Sequence, residues 1–474
     1  MMMIRKRRTK IVCTIGPACS SEEKIVEMIR AGMDVARLNF SHGDYETHGK
    51  AIDLIRRIAA AEDREVGILQ DLGGPKIRLG VLPHGERSLE AGKTVRLFAG
   101  EKSDDDRLPV NYPYLLEDVG CGDRIILADG LVELAVSEKT RDELVCKVLV
   151  GGKIDSHKGV NLPASTLRVP AFTEKDKKDL AFGLEKGVDF VALSFVRHEK
   201  DVAPVTEMLG DRIDRPLCIA KIEKPQALER FDAILKAVDG VMVARGDLGV
   251  ETPLHEVPVI QKRIISMARD AAKPVITATQ MLRSMISNPR PTRAETTDVA
   301  NAILDGTDAI MLSEETAAGD YPVESVRFLD RIAVAAESYL FENTRRMEKL
   351  SVHIPGTAAA ISHAAVELAY DLDASAIVAY TSSGSTARLV CRFRPKSPIL
   401  GFTTSLKILR RLSLSWGVTP VFVPPYEDTD DMFAMARKWI SEQGIADRGG
   451  RIVLTAGVPV GIPGTTNMVK VVDL

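Results

Sequence analysis

Eight short apolar runs, each followed by helix-like sequence, set the narrowest limit on what this chain can become. They are TKIVCTI (9–15), VARLNF (35–40), VGILQDL (66–72), DFVALSF (189–195), LCIAKIE (217–223), DGVMVARGD (239–247), KPVITATQ (273–280) and DAIMLSE (308–314). Runs that are apolar on both faces suit parallel strands covered by helices. Eight of them in βα order is the count that closes a (β/α)8 TIM barrel in the α/β class. The first helix has its start signals in place: Ser20 and Ser21 as caps, Glu22 and Glu23 in the first turn.

The order breaks once, between the third and fourth runs. There the sequence alternates apolar and polar residues with frequent turns (RSLEAGKTVRLF, GDRIILADGLVELAVSE, ELVCKVLVGGKI), the pattern of an inserted small β domain, expected as a small β-barrel. A polar stretch near residue 345 (ENTRRMEKLSVHIPG) marks a second boundary. After it, SAIVAYT, SPILGFT, VTPVFVP, RIVLTAG and MVKVVDL repeat strand–helix units. The 474 residues therefore divide into a barrel over 1–74 and 169–345, an inserted β lid over 75–168, and an open C-terminal α/β domain over 346–474.

Charge excludes some partners. A net charge of −3 argues against nucleic acid or an anionic membrane, which both select a strongly basic face. No run of about 18 apolar residues is present, and the start MMMIRKRRTK is followed by a stretch too short and broken for a signal peptide. The six cysteines (Cys13, Cys19, Cys121, Cys146, Cys218, Cys391) form no C-x-x-C pair, which suits reduced thiols in a cytoplasmic enzyme.

Polar residues collect where a barrel keeps its chemistry, at the C-terminal ends of the strands. Arg37, Asn39 and Ser41 end the second run, and Asp71 the third. Lys221 and Glu223 end the fifth, Arg245, Gly246 and Asp247 the sixth, Thr279 the seventh, and Ser313 and Glu314 the eighth. Glu223 and Asp247 are hard oxygen ligands of the kind that holds Mg2+ or Mn2+, or else solvated strand-end carboxylates. Lys221, two residues before Glu223 and on the same strand face, suits neutralisation of a phosphoryl group or an enolate, or a structural ion pair. Backbone N–H groups of GDLGVE (246–251) suit a substrate carboxylate. Thr279 and Ser313 offer hydroxyls that orient a substrate, relay a proton, or cap and bond the core.

Two further turns suit phosphate. TSSGSTAR (381–388) brings Thr381, Ser382, Ser383, Gly384, Ser385 and Thr386 to the start of a helix, where hydroxyls and amides converge on an anion. GIPGTTN (461–467), with Gly464 and Thr465, is a second Gly/Thr turn able to close over the same ligand, and an ordinary polar connection is the alternative.

In order along essentially the whole chain, TKIVCTIGPA, MDVARLNFSHG, GPKIR, KGVNLP, AKIE, VMVARGDLGVE, ITATQML, NPRPTRAETTDVANAILDGTDAIMLSEETAAGDYPVESV and PGTTN resemble pyruvate kinases. The resemblance implies phosphoryl transfer from phosphoenolpyruvate to ADP, giving pyruvate and ATP. It implies a homotetramer whose C-terminal domain binds a phosphorylated sugar or AMP at 381–386 and 464–465. By position, Glu223 and Asp247 would hold the divalent metal and Lys221 would stabilise the phosphoryl group in flight. Arg37 and Arg78 would grip phosphate. The amides of Gly246 and Asp247 would seat the carboxylate, Thr279 would position the enolate, and Ser313 would relay a proton. Asn39, His42, Arg78 and Lys158 would lie near the nucleotide, with Asp129 closing from the lid.

One turn departs from the potassium-dependent pattern of that family. In DLGGPKIRLG (71–80), Lys76 stands where those members carry glutamate, and Leu72 where they carry threonine. There K+ is held by residues equivalent to Asn39, Ser41, Asp71 and the threonine replaced by Leu72. The Lys76 ammonium is expected to do the ion's electrostatic task, paired with Asp71 or near the substrate phosphate, so K+ is not required. The alternatives are a metal-dependent phosphoenolpyruvate/pyruvate-type lyase (aldolase) and a non-catalytic metabolite sensor.

Overall fold

The computed structural model describes residues 5–103, 107–163, 165, 167–343, 356–446, 449–459 and 464–474. The eight runs become eight parallel strands: Lys10–Thr14, Val35–Asn39, Gly67–Asp71, Phe190–Leu193, Leu217–Ile222, Gly240–Ala244, Val275–Ala278 and Ala309–Leu312. They close into a barrel in which the first strand pairs with both the second and the eighth.

Double-sided burial explains why the runs are apolar throughout. Val12, Val35, Leu69, Leu217, Ile219 and Met242 fill the barrel interior. Their neighbours Ile11, Ala36, Ile68, Cys218, Ala220 and Val243 pack outward against the helices. Alternation along a strand then fixes the polar ends. Arg37 and Asn39 continue the inward face of Val35, Asp71 that of Leu69, and Lys221 that of Leu217 and Ile219. Where the strands stop being apolar, the same face carries the charge.

The sixth strand is shorter than the sequence suggests. It stops at Ala244, and Arg245–Glu251 is a short helix, so Arg245, Gly246 and Asp247 sit in its first turn rather than on the strand. Arg245 holds that turn by bonding Thr279 O (2.9 Å) and Asp298 Oδ1 (2.8 Å). Apolar pattern cannot report such a side-chain clamp.

The insertion forms a six-stranded sheet, in the spatial order Val160–Asn161, Arg124–Leu127, Val132–Lys139, Leu144–Val150, Thr94–Ala99, Arg107–Val110, with a two-stranded pair, Glu86–Leu89 and Gly152–Asp155. All share one apolar core, including Leu89, Leu97, Leu134 and Ile154. Residues 78 and 79 bridge both edges of the sheet, Arg78 to Gly159 and Leu79 to Val110, and so join its ends into a small barrel.

The C-terminal sheet runs Val418–Phe422, Ile399–Thr403, Ala376–Tyr380, Arg451–Gly457 and antiparallel Thr466–Asp473. Helices Thr357–Asp371 and Ser385–Cys391 cover one face around Ala365, Val390 and Ile377. Helix Thr429–Gln443 covers the other around Ala436, Val378 and Phe402. The boundary expected near residue 345 falls largely on 344–355, outside the described residues. Among the described residues no helix is long and apolar enough to cross a membrane.

Closure of the large barrel is tied to its last helix, Pro322–Asn343. The buried Glu337 carboxylate accepts from Arg8 N (2.7 Å), Thr9 N (2.6 Å) and Thr9 Oγ1 (2.6 Å). Glu337→Ala leaves these donors unpaired and should cost about 3 kcal/mol, at about 1 kcal/mol per lost bond. A urea midpoint indistinguishable from the parent's would refute this.

Candidate active site

Asp71 lies at the floor of the barrel mouth, 2 % exposed. Its Oδ2 accepts from Arg37 Nε at 2.7 Å and lies 2.6 Å from Arg37 Nη2, while Oδ1 faces Lys221 Nζ at 3.4 Å. Lys221 also reaches Glu223 Oε1 (2.9 Å) and donates to Ser194 Oγ (2.8 Å). Burial by itself would lower the Lys221 pKa, but the carboxylates of Asp71 and Glu223 outweigh it and hold the amine protonated. For Asp71, burial raises the pKa, and Lys221 and Arg37 reverse the sign and keep it ionised. Arg37 Nη1 further donates to Thr14 Oγ1 (2.9 Å), so the guanidinium is fixed on two sides.

Glu223 is fully buried, and Phe195 N donates to its Oε2 at 2.7 Å. Its Oε1 takes no aligned hydrogen bond, despite the nearby ammonium. Asp247 is pushed up to about 6, first by burial and then by the Glu223 charge. A buried carboxylate oxygen without a bond, beside a second carboxylate that resists ionising, is the donor set a small divalent cation satisfies. Among the described residues no third His, Cys, Asp or Glu joins them. Two carboxylates suit Mg2+ or Mn2+, which retain waters and bind substrate oxygens.

Thr279 and Gln280 both adopt left-handed backbone, φ +69° and +55°. For a β-branched residue this is strain, held by Arg245 on Thr279 O. It turns Thr279 Oγ1 onto Gly246 N (2.7 Å) while the hydroxyl donates to Ala278 O (2.7 Å). The Gly246 amide expected to seat a carboxylate is therefore already bonded to Thr279. Ser313, half-buried, donates its backbone N–H to the buried Glu315 (2.7 Å).

Lys76 is exposed at the mouth and forms no ion pair among the described residues, so the expected pairing with Asp71 is not seen: Arg37 and Lys221 already occupy that carboxylate. Desolvation at its amine and the charges of Lys221 and Arg78 lower its pKa. Partial burial, then Lys76, Arg78 and Arg37, lower that of His42. Arg37, Lys76, Arg78 and Lys221 thus crowd positive charge around one opening, and His42 beside them is held toward its neutral form. Asn39 Oδ1 accepts from Ser41 N (3.1 Å), and the Leu72 side chain packs in the outer core. Lys158 stands in the inserted domain, 3.9 Å from Asp155, and the exposed Asp129 sits in a left-handed turn.

The chain can now be set beside known proteins. The family model "Pyruvate kinase, barrel domain" matches residues 6–326, and "Pyruvate kinase, alpha/beta domain" matches 359–472. The chain belongs to the pyruvate kinase family. It is 48% identical over 468 residues to a pyruvate kinase of Mycobacterium tuberculosis, covering 98% of each chain. It is 46% identical over 471 residues to one of Geobacillus stearothermophilus, covering 98% of this chain and 80% of that protein. The crystal structure of a pyruvate kinase from Cryptosporidium parvum superposes with a TM-score of 0.90 at 36% identity, covering 99% of this chain and 96% of that one.

In the C-terminal domain of this pyruvate kinase family member the two flagged turns meet: the hydroxyls of Thr386 and Thr466 are 2.8 Å apart. Thr381 and Thr386 are buried, and Thr381 Oγ1 accepts from Gly384 N (2.8 Å). Ser383 donates to Ser385 (2.9 Å), and Ser382 is exposed. Gly461, Ile462 and Pro463 of the second turn lie outside the described residues.

Sequence reasoning missed Phe195. Its φ of +56° is unusual for an aromatic residue, and that conformation aims its amide at Glu223. Nothing in the motif VALSFVR signals a left-handed phenylalanine.

The sign of the Asp247 shift gives a test. An acid whose folded pKa is raised from 3.8 to about 6 subtracts stability as pH rises through that window, and the loss is complete above it. In chelator at pH 8, Asp247→Asn should therefore stabilise the fold by about 1–3 kcal/mol, the gain shrinking toward pH 4. Denaturant unfolding at both pH values decides it, and an unchanged or lowered stability at pH 8 counts against a repelling pair.

Proposed function

We propose that this chain transfers the phosphoryl group of phosphoenolpyruvate to ADP, giving pyruvate and ATP, with the division of labour expected from its sequence. The barrel (1–74 and 169–345) carries the chemistry, the insertion (75–168) covers the nucleotide, and 346–474 binds a phosphorylated effector. The observation that carries the reading is the fixed cation pair, Arg37 and Lys221, held on one buried aspartate beside the Glu223–Asp247 carboxylates.

Phosphoryl transfer needs alignment and charge neutralisation more than covalent help. Arg37 and Arg78 bind the phosphoryl oxygens, and Lys221 neutralises charge on the group as it moves. Glu223 and Asp247 hold Mg2+ or Mn2+, which when bound supplies Lewis-acid stabilisation of the oxygens it touches. The Asp247 amide and the Gly246–Thr279 corner orient the carboxylate and enolate end, and Ser313 passes a proton to the enolate carbon. Lys221 stays a charge partner rather than a base, because two carboxylates keep it protonated. Asn39, His42, Lys158 and Asp129 line the nucleotide side.

Potassium has little to hold on to here. Both Asp71 oxygens face Arg37 or Lys221, Asn39 Oδ1 is bonded, and Leu72 offers no side-chain oxygen. Lys76 supplies the positive charge from the chain instead. Effector control by a phosphorylated sugar or AMP at 381–386 and 464–465, a homotetrameric assembly, and a cytoplasmic location complete the reading. The lyase alternative finds no support: both family models and the relatives across 98% of the chain are pyruvate kinases.

Two measurements test the core of it. Lys221→Met should lower kcat by about 10²–10³-fold with folding intact, as for other removed electrostatic donors. Initial rates in buffer free of K+ and NH4+ should match those with added KCl within about twofold, whereas a charge-dependent gain near tenfold (about 1.4 kcal/mol) would mean that an ion is still needed.

A further inference from the structure

We propose that Asn161, Glu251 and Lys224 form a latch that seats the inserted β domain on the barrel, with Glu251 a positioning residue for the nucleotide side. The nucleotide part rests on the reading that the insertion carries Lys158 and Asp129 against ADP; the latch itself does not.

Lys224 follows Glu223, and Glu251 ends the short helix that begins with Arg245, Gly246 and Asp247. Both side chains are buried, with Lys224 Nζ 2.6 Å from Glu251 Oε1. The same oxygen accepts from Asn161 Nδ2 at 2.9 Å. Asn161 belongs to the inserted domain, on a two-residue strand directly after Lys158 and Gly159. A buried ion pair is a weak source of stability, because desolvating two charges offsets most of their attraction. Here it also presents an oxygen to another domain, which apolar packing could not do. Glu251 Oε2 is buried without a hydrogen-bond partner, so the carboxylate relies on the Lys224 and Asn161 contacts.

A second contact lies beside it. The turn Ala128, Asp129, Gly130 is left-handed at all three residues, and a side chain on Gly130 would meet Val250 at 3.8 Å. The turn carrying Asp129 therefore abuts the end of the same helix. On the barrel side, the Lys224 ammonium is 6.0 Å from the Phe195 ring centre, and the Phe195 amide bonds Glu223. A side chain on Gly74, where the chain leaves for the insertion, would approach that ring to 2.9 Å. Glu251 thus joins an element bearing Asp247 to a domain bearing Lys158 and Asp129.

The test compares the full-length parent with Asn161→Asp, Asn161→Ala and the double variant Asn161→Asp/Glu251→Gln. Asn161→Asp sets two carboxylates face to face, and the glutamine amide of the double variant can donate to the new aspartate. In the ligand-free protein, deuterium uptake at 127–130 and 158–161 should rise several-fold in Asn161→Asp, less in Asn161→Ala, and return near the parent's in the double variant. The KM for ADP should rise about tenfold in Asn161→Asp, the scale of one lost charge-assisted bond, while the KM for phosphoenolpyruvate stays within about twofold. Uptake at those segments unchanged in both single variants would overturn the latch. Raised and rescued uptake with an unmoved KM for ADP would overturn the positioning role and the nucleotide reading, leaving the contact itself in place. Both KM values rising together with a lower unfolding midpoint, and no rescue, would reduce Asn161 to ordinary packing.

Discussion

Everything at the barrel mouth is arranged around one buried carboxylate. Asp71 has almost no access to water, so its charge is stable only because Arg37 and Lys221 are held against it. The dependence runs both ways: without Asp71, two cations would face each other in a low-dielectric cup. The result is a pair of fixed positive charges whose orientation is set before any ligand arrives. Pre-set charge of this kind needs no reorganisation when a phosphoryl group moves through it.

The negative side of the site is organised by the opposite imbalance. Glu223 and Asp247 lie close enough that one raises the pKa of the other, and Glu223 keeps a buried oxygen without a hydrogen bond. Left alone, that arrangement opposes folding. It persists because surrounding elements over-determine it: Phe195 in left-handed backbone bonds Glu223, and Arg245 clamps the turn that carries Asp247. Strain and repulsion concentrated at one strand-end cluster are expected where function outweighs local stability.

The insertion adds coupling between domains. Arg78 and Leu79 bridge the two edges of its sheet, so a residue expected to grip phosphate is also part of that seam. The Arg78 backbone is therefore tied to the sheet edge it bridges. The Asn161–Glu251 contact, two residues from the Gly159 that Arg78 bridges, attaches that same edge of the insertion to the barrel. The Phe195 amide bonds Glu223, and its ring lies where a side chain on Gly74, at the exit of the chain toward the insertion, would meet it.

Much of this was legible in the sequence for a physical reason. Parallel strands buried on both faces must be apolar, so eight such runs declared the barrel, and alternation placed Arg37, Asp71 and Lys221 on its inner face. Lys76 and Leu72 could likewise be read as a linked departure, since each is a change of charge or polarity at a known position. What only the tertiary structure decided were contacts between distant segments and backbone states without a composition signature. The sixth strand stops at Ala244 because Arg245 reaches Thr279 and Asp298. Gly246 bonds Thr279 because that threonine is turned left-handed, and among the described residues Lys76 has no ion pair because Arg37 and Lys221 take Asp71 first. Local sequence encodes propensity and burial pattern; which partner wins a buried charge depends on the whole surrounding geometry.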